Sequence, residues 1–254
     1  MKSRIALLLL VVLPLLAACG PQKAPADTTT AKPAGKATAT ATASPASANR
    51  TATPVAVVPP AWEGPIPTAG VDYVELANGQ PYAPPNGQVE VAEVFGYICS
   101  HCANFEPLFV AWKSKLPADV KIALVPAALG GPWVTYAQAF YAAETLGVLE
   151  QSHEAVFSAL HRQHSLSPTA TPEQIGSFYA QFGVDPKTFT STMQGFAVGA
   201  SINRSRQFAV RSRIEGTPSL VIDGRYLVSV DQRGYGTMLR TAEYLVAQRR
   251  AALK

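Results

Sequence analysis

The 254-residue sequence predicts an α/β protein with an inserted all-helical domain and a disordered tether in front of it. Three observations predict this. Short apolar runs of strand character (Gln88–Gly96, Val120–Pro126, Ser219–Asp223 and Tyr226–Val230) are interspersed with segments of helical periodicity. The stretch from about 128 to 205 carries helical pattern alone. Residues 20 to about 60 are Ala, Thr, Pro and Ser with scattered Lys, and show no apolar periodicity on which a core could form.

Residues 1–18 read as an export signal: Lys2 and Arg4, an apolar run from Ile5 to Leu16, then small residues. The run is too short to span a bilayer comfortably. It ends in Leu16-Ala17-Ala18-Cys19, which resembles the lipobox of bacterial lipoproteins. That resemblance implies cleavage before Cys19, diacylglycerol on its sulfur and a further N-acyl group, more than the single chain that anchors only marginally. An ordinary signal peptide with a stray cysteine is the plainer alternative. With the lipid, the protein faces an oxidising compartment from a membrane. Gly20 stands where the inner-membrane retention signal of enteric bacteria has Asp, so the choice between inner and outer membrane stays open. The lipidated linker, residues 19–61, would span roughly 35 Å as a flexible coil. Signal removal takes Lys2 and Arg4 away and leaves a formal charge of +2, too small a balance to argue for nucleic acid.

The body begins near Trp62. A first strand is expected over Asp72–Leu76 and a second over Gln88–Gly96. Helices are expected over Cys99–Leu116, from Trp133 through Gln163 with a break near Gly147, after Thr171-Pro172-Glu173, after Asp185-Pro186, after Gln194, and over Arg233–Gln248. Asp223-Gly224 between two apolar runs is a two-residue hairpin signal.

Cys99-Ser100-His101-Cys102 carries the chemistry. It follows a strand-like run and opens a helix, where unpaired N–H groups and the helix dipole favour an anion. The leading thiol is therefore expected to ionise easily and to form a disulfide that is easily attacked. A bare Cys-x-x-Cys also occurs in zinc sites. Those need a second ligand pair, which here would have to come from two of the four histidines.

The order strand, Cys-x-x-Cys helix, strand, then Thr217-Pro218 leading a hairpin and closing helix resembles the thioredoxin fold over nearly all of residues 70–250. Cys102 and Pro218 are 116 positions apart, far more than one crossover needs, and the excess is helix-patterned. A thioredoxin-like domain (62–127 and 206–254) with an inserted helical domain (128–205) is similar to the DsbA family of periplasmic disulfide oxidants. His101 between the cysteines, Glu93 six positions before Cys99 and Thr217-Pro218 all match that family. The dipeptide Ser-His, where the best-known members have Pro-His, and the lipidated tether depart from its commonest form.

Cys99 is then expected to be the attacked sulfur, its thiolate held by helix dipole, N–H groups and the His101 imidazole. Cys102 is its buried partner. Glu93 shares a strand face with Val91 and Phe95, where an acid is costly unless protonated or paired. It is either a proton carrier for Cys102 or a strand-end carboxylate reaching water. Pro218, lacking an N–H, interrupts strand pairing and would leave the Thr217 backbone free for an extended peptide, with Ser100 also at the substrate. A cis bond before Pro218 follows from the resemblance only, as does contact of Thr217 with the sulfurs.

The resemblance implies a dithiol oxidase that uses its own redox-active disulfide and no added cofactor or metal. It would pass that disulfide to exported unfolded proteins and be reoxidised by a DsbB-like membrane quinone reductase. It is expected in the periplasm, as a monomer; known isomerases of this kind dimerise through an N-terminal domain, which residues 20–60 cannot build. An isomerase or reductase, a single-client oxidant, and a redox-inactive peptide-binding chaperone are the competing readings. His153, His161 and His164 are expected at the surface of the insertion. The basic stretch Arg204, Arg206, Arg211 and Arg213 reads as a solvated face, and Trp133 as either a rim or a core residue.

Overall fold

A computed structural model describes residues 62–253. The signal, Cys19 and the linker to residue 61 lie outside these residues. Five strands form one sheet in the order β1-β5-β4-β2-β3: β1 (Val74–Glu75), β2 (Val89–Phe95), β3 (Val120–Pro126), β4 (Ser219–Ile222) and β5 (Tyr226–Ser229). β2 runs parallel to β3 and antiparallel to β4, with Glu93 opposite Leu124 on one side and Leu220 on the other. All seven residues of β2 are buried, as its near-continuous apolar run requires of a strand covered on both faces.

Strand alternation sorts the core. Val89 and Val91 face a cluster with Phe105 and Phe109 of helix α1 (Ser100–Lys113) and Met238, Tyr244 and Leu245 of helix α7 (Tyr235–Ala252). Ala92 and Val94 point the other way, toward Phe208 of helix α6 (Phe196–Arg211). This is the thioredoxin-like sheet with helices on both faces. Between β3 and β4 the chain forms α2 (Pro132–Thr145), α3 (Leu149–His161), α4 (Pro172–Tyr179), a 3-10 turn, α5 (Pro186–Met193) and α6. Their own core is aromatic, built on Tyr136, Phe140, Phe157, Tyr179 and Phe189.

The helix boundaries follow local chemistry. Thr171 and Gln174 form a reciprocal capping box at the start of α4, and the Asp185 carboxylate accepts the Thr188 N–H at the start of α5. Pro172 and Pro186 each occupy the first turn, where no N–H is missed. α6 runs unbroken across the 205/206 boundary between insertion and thioredoxin-like domain.

Two expectations are corrected, the length of the hairpin loop and the surface placement of two histidines. The hairpin after β4 has positive φ at Asp223 and Gly224, yet the ladder pairs Ile222 with Tyr226, so three residues rather than two form the loop. Gly224 is also pressed against the chain, since a Cβ there would lie 2.1 Å from the Gln80 carbonyl carbon. The basic stretch is the exposed face expected, and two of its side chains also bond to neighbouring elements. The Arg204 guanidinium lies 4.5 Å from the Tyr82 ring centre and donates to its hydroxyl at 3.0 Å, and Arg206 donates to the Ala128 carbonyl at 3.2 Å. His153 is buried rather than superficial, and His161 is half-buried.

Trp133, at the start of α2, lies directly over Gly96, the residue that follows β2 and begins the turn to Cys99. A Cβ on Gly96 would sit 2.2 Å from the indole ring. Gly96→Ala is expected to destabilise the fold by about 1–3 kcal/mol through this overpacking. Denaturant unfolding followed by tryptophan fluorescence checks it, and replacing Trp133 by a smaller side chain in the same background should recover part of the loss.

Candidate active site

Helix α1 begins at Ser100, and Cys99 is its N-cap, with an extended backbone of φ −85° and ψ 114°. Its sulfur accepts the Cys102 N–H at 3.3 Å, the place that a Ser or Asp oxygen usually fills. The same sulfur lies 3.5 Å from the Thr217 carbonyl. Both cysteines are free thiols; Cys99 is half-buried and Cys102 is fully buried. Thr217 and Pro218, joined by a cis peptide bond, enter β4 beside them. The topology thus brings together residues more than a hundred positions apart.

The two sulfurs are driven in opposite directions. The Cys99 thiol is lowered to about 5, chiefly by the hydrogen bond from the Cys102 thiol. Burial works against this, while a side-chain hydrogen bond with Thr217 and the backbone N–H groups of Cys102 and His101 add to it. Cys102 is pushed up, first by burial and then by its interaction with Cys99. One is therefore a stable thiolate and good leaving group, the other a thiol that holds its proton. His101 contributes through its backbone. Its exposed ring stands 3.5 Å from the Tyr235 hydroxyl, which donates to the His101 carbonyl at 3.0 Å. Ser100 is exposed on the first turn.

Glu93 is 1% exposed, and neither carboxylate oxygen has a hydrogen-bond partner among the described residues. Glu90, three positions earlier, is also buried, but it accepts the N–H groups of Tyr82 and Ala83 at 2.5 and 2.8 Å. Burial above all, then the neighbouring Glu106 carboxylate, holds the Glu93 carboxyl well above the usual carboxylate range, with Lys113 offsetting part of this. A strand end reaching water is thereby excluded. Glu93 lies between Val91, packed on Phe105 and Phe109, and Phe95, in the cluster that contains Cys102. It belongs to the sheet face that α1 covers.

The sequence did not single out Tyr97, Glu106 or the inward role of two histidines. Tyr97, two residues before Cys99, is buried and clamped by α3. Its hydroxyl lies 2.8 Å from His153 Nδ1, and its carbonyl accepts a hydrogen bond from His161 Nε2 at 2.7 Å. The available signal was spacing: His153 and His161 are eight apart and flank Val156, Phe157 and Leu160 on the buried side of α3. His164 is exposed. Among the described residues no group of three or more His, Cys, Asp or Glu is placed to hold a metal ion.

Residues 90–235 match the family model of a DSBA-like thioredoxin domain. The thiol:disulfide interchange protein DsbA of Pseudomonas aeruginosa strain PAO1 is 40% identical over 188 residues, 74% of this chain and 88% of that protein. The protein of the same name from Azotobacter vinelandii is 38% identical over 184 residues, 72% and 85% of the two chains. The crystal structure of the oxidoreductase DsbA from Xylella fastidiosa superposes with a TM-score of 0.71 at 41% identity, covering 73% of this chain and 99% of that one.

The lowered Cys99 thiol ties stability to pH. Its folded pKa of about 5 lies below the ordinary thiol value of 9.0, so the stabilisation of the reduced fold is fully present above that ordinary value and is lost as pH falls through about 5. Denaturant unfolding of the reduced and oxidised forms should show the reduced form's advantage growing as pH rises across that window. The thiolate's ultraviolet absorbance should titrate near its lower edge.

Proposed function

The chain belongs to the DsbA-like thioredoxin-domain family of thiol:disulfide oxidoreductases, and on that footing we propose that it donates the Cys99–Cys102 disulfide to exported, unfolded proteins. The observation that carries this reading is the opposed pair of sulfurs: a Cys99 thiol lowered to about 5 at a helix start, above a buried Cys102. A stabilised thiolate stabilises the reduced state, so the disulfide tends to be passed on.

A substrate thiolate attacks the Cys99 sulfur and the Cys99–Cys102 bond breaks. Its electron pair leaves on Cys102, which takes a proton from the Glu93 carboxylic acid. A second substrate thiolate then attacks the substrate sulfur of the mixed disulfide, and Cys99 leaves as its thiolate. Two substrate thiols become one disulfide, and two electrons remain on the protein's cysteines. Thr217 offers its backbone to an extended segment of substrate, since Pro218 cannot donate a strand hydrogen bond, and Ser100 lies at the same rim.

Reoxidation falls to a DsbB-like membrane quinone reductase, and the protein works as a monomer in the periplasm. Cys19, lipidated after signal cleavage, holds it at a membrane by the 19–61 linker. Among the described residues no helix is long and apolar enough to cross a membrane.

Equilibration with glutathione buffers separates oxidant from reductase: the protein should be the more oxidising partner, and a potential at or below that of glutathione would overturn the oxidase reading. His101→Ala keeps the backbone N–H that lowers the Cys99 thiol, so a less oxidising protein and a raised Cys99 pKa in this variant would measure the imidazole alone, and an unchanged pKa and glutathione equilibrium would remove the role of the ring. Metabolic labelling with a radioactive fatty acid should mark the wild-type protein and not Cys19→Ser; equal labelling of both would remove the anchor.

A further inference from the structure

Glu93 is sealed from solvent, so a proton it gives to Cys102 must be replaced from elsewhere. On α1, one turn beyond Cys102, the buried Glu106 faces it. The Glu106 Oε2 has no hydrogen-bond partner and lies 3.6 Å from Nε2 of His153, which also has none. These are three consecutive buried groups with unfilled hydrogen-bonding capacity, in a core where such atoms are normally paired. The His153 ring is held by Phe95, Phe140 and Phe157 at centroid distances of 5.2, 6.1 and 5.4 Å, and its Nδ1 is engaged by the Tyr97 hydroxyl. Its free nitrogen can therefore serve only the Glu106 side. Glu106 and His153 also border a groove of about 540 Å³ between α1 and α3, open to solvent.

We propose that Glu106 and His153 form the proton path between the groove and Glu93, so that the proton taken up by Cys102 enters behind α1 rather than past the Cys99 sulfur. The proposal rests on the reading of Glu93 as proton donor to Cys102. When the disulfide opens, Cys102 takes the Glu93 proton, the Glu93 carboxylate is reprotonated by way of Glu106, and His153 passes on a proton drawn from water in the groove. Reoxidation runs the same transfers backward, and no electron moves along the path. The entry stays open while an unfolded substrate covers Cys99, Thr217 and the surrounding rim.

Charged groups around the path set its pH response. Lys113 on α1 and Glu144, Glu150 and Glu154 on α2 and α3 line the groove. From β3 the lining residue is the apolar Leu124. Tyr97 approaches from the loop before Cys99, with Tyr179 of α4 near it. The groove is thus mainly acidic at its mouth.

The test is stopped-flow reduction of the oxidised protein by a dithiol peptide across pH, for wild type, Glu93→Gln, Glu106→Gln and His153→Ala. His153→Ala should slow disulfide opening by about tenfold, within the roughly 100-fold that a positioned proton donor supplies, and should flatten the pH profile. Imidazole added to the buffer should restore its rate, since the groove leads to the vacated position; a merely packing histidine would not be replaced in this way. Glu106→Gln should slow opening similarly and should not respond to imidazole, and it carries the test should His153→Ala fail to fold. Slow exchange in Glu93→Gln beside wild-type rates and pH profiles in the other variants, or a slow His153→Ala that imidazole leaves slow, would overturn the path and leave the Glu93 reading standing. A wild-type rate for Glu93→Gln would overturn the reading and the path together.

Discussion

The hydrogen bond from the Cys102 backbone to the Cys99 sulfur organises the rest of the molecule. It makes a sulfur the cap of α1 and sets a forming negative charge at the one end of the helix where unpaired N–H groups welcome it. The Cys102 thiol beneath adds a second donor, which explains why the two sulfurs differ so widely in acidity although they stand one turn apart. The asymmetry comes from placement, since the two residues are chemically identical.

Holding that cap requires the turn between β2 and α1 to be fixed from outside, because its own residues include a glycine and little regular hydrogen bonding. The inserted domain supplies the support. Trp133 from α2 covers Gly96, and His153 and His161 from α3 grip Tyr97 at both its polar ends. The insertion is therefore part of the redox centre's scaffold, and its aromatic core reaches as far as Cys102. Any motion of α3 would be felt at the sulfur through a single buried tyrosine.

Beneath the site, the sheet carries an acid at a cost. Glu90 and Glu93 lie on the same buried strand, but only Glu90 is paid for by backbone N–H groups. An unsatisfied carboxyl in such a place is stable only as the neutral acid, which makes it a store of one proton under the helix that holds Cys102. The nearby Glu106 carboxylate reinforces this, because its negative charge opposes one on Glu93.

The sequence by itself determined the elements and the reaction centre. Strand periodicity placed β2 and β3 almost to the residue, the Pro-led caps at Thr171 and Asp185 fixed two helix starts, and Cys-x-x-Cys with a distant Thr-Pro marked the site, because each of these is a local property of the chain. The turn after β4 was legible as a turn but not in its length, which the β4–β5 register decides. Tertiary structure alone decided which polar residues face inward. Glu106 and His153 look like ordinary helix-surface residues in sequence, being polar side chains on helix-patterned segments. They are buried only because α1 and α3 pack against each other over the sheet. Spacing along one helix cannot reveal the second helix, and so the polar chain beneath Cys102 becomes visible only when both are in place.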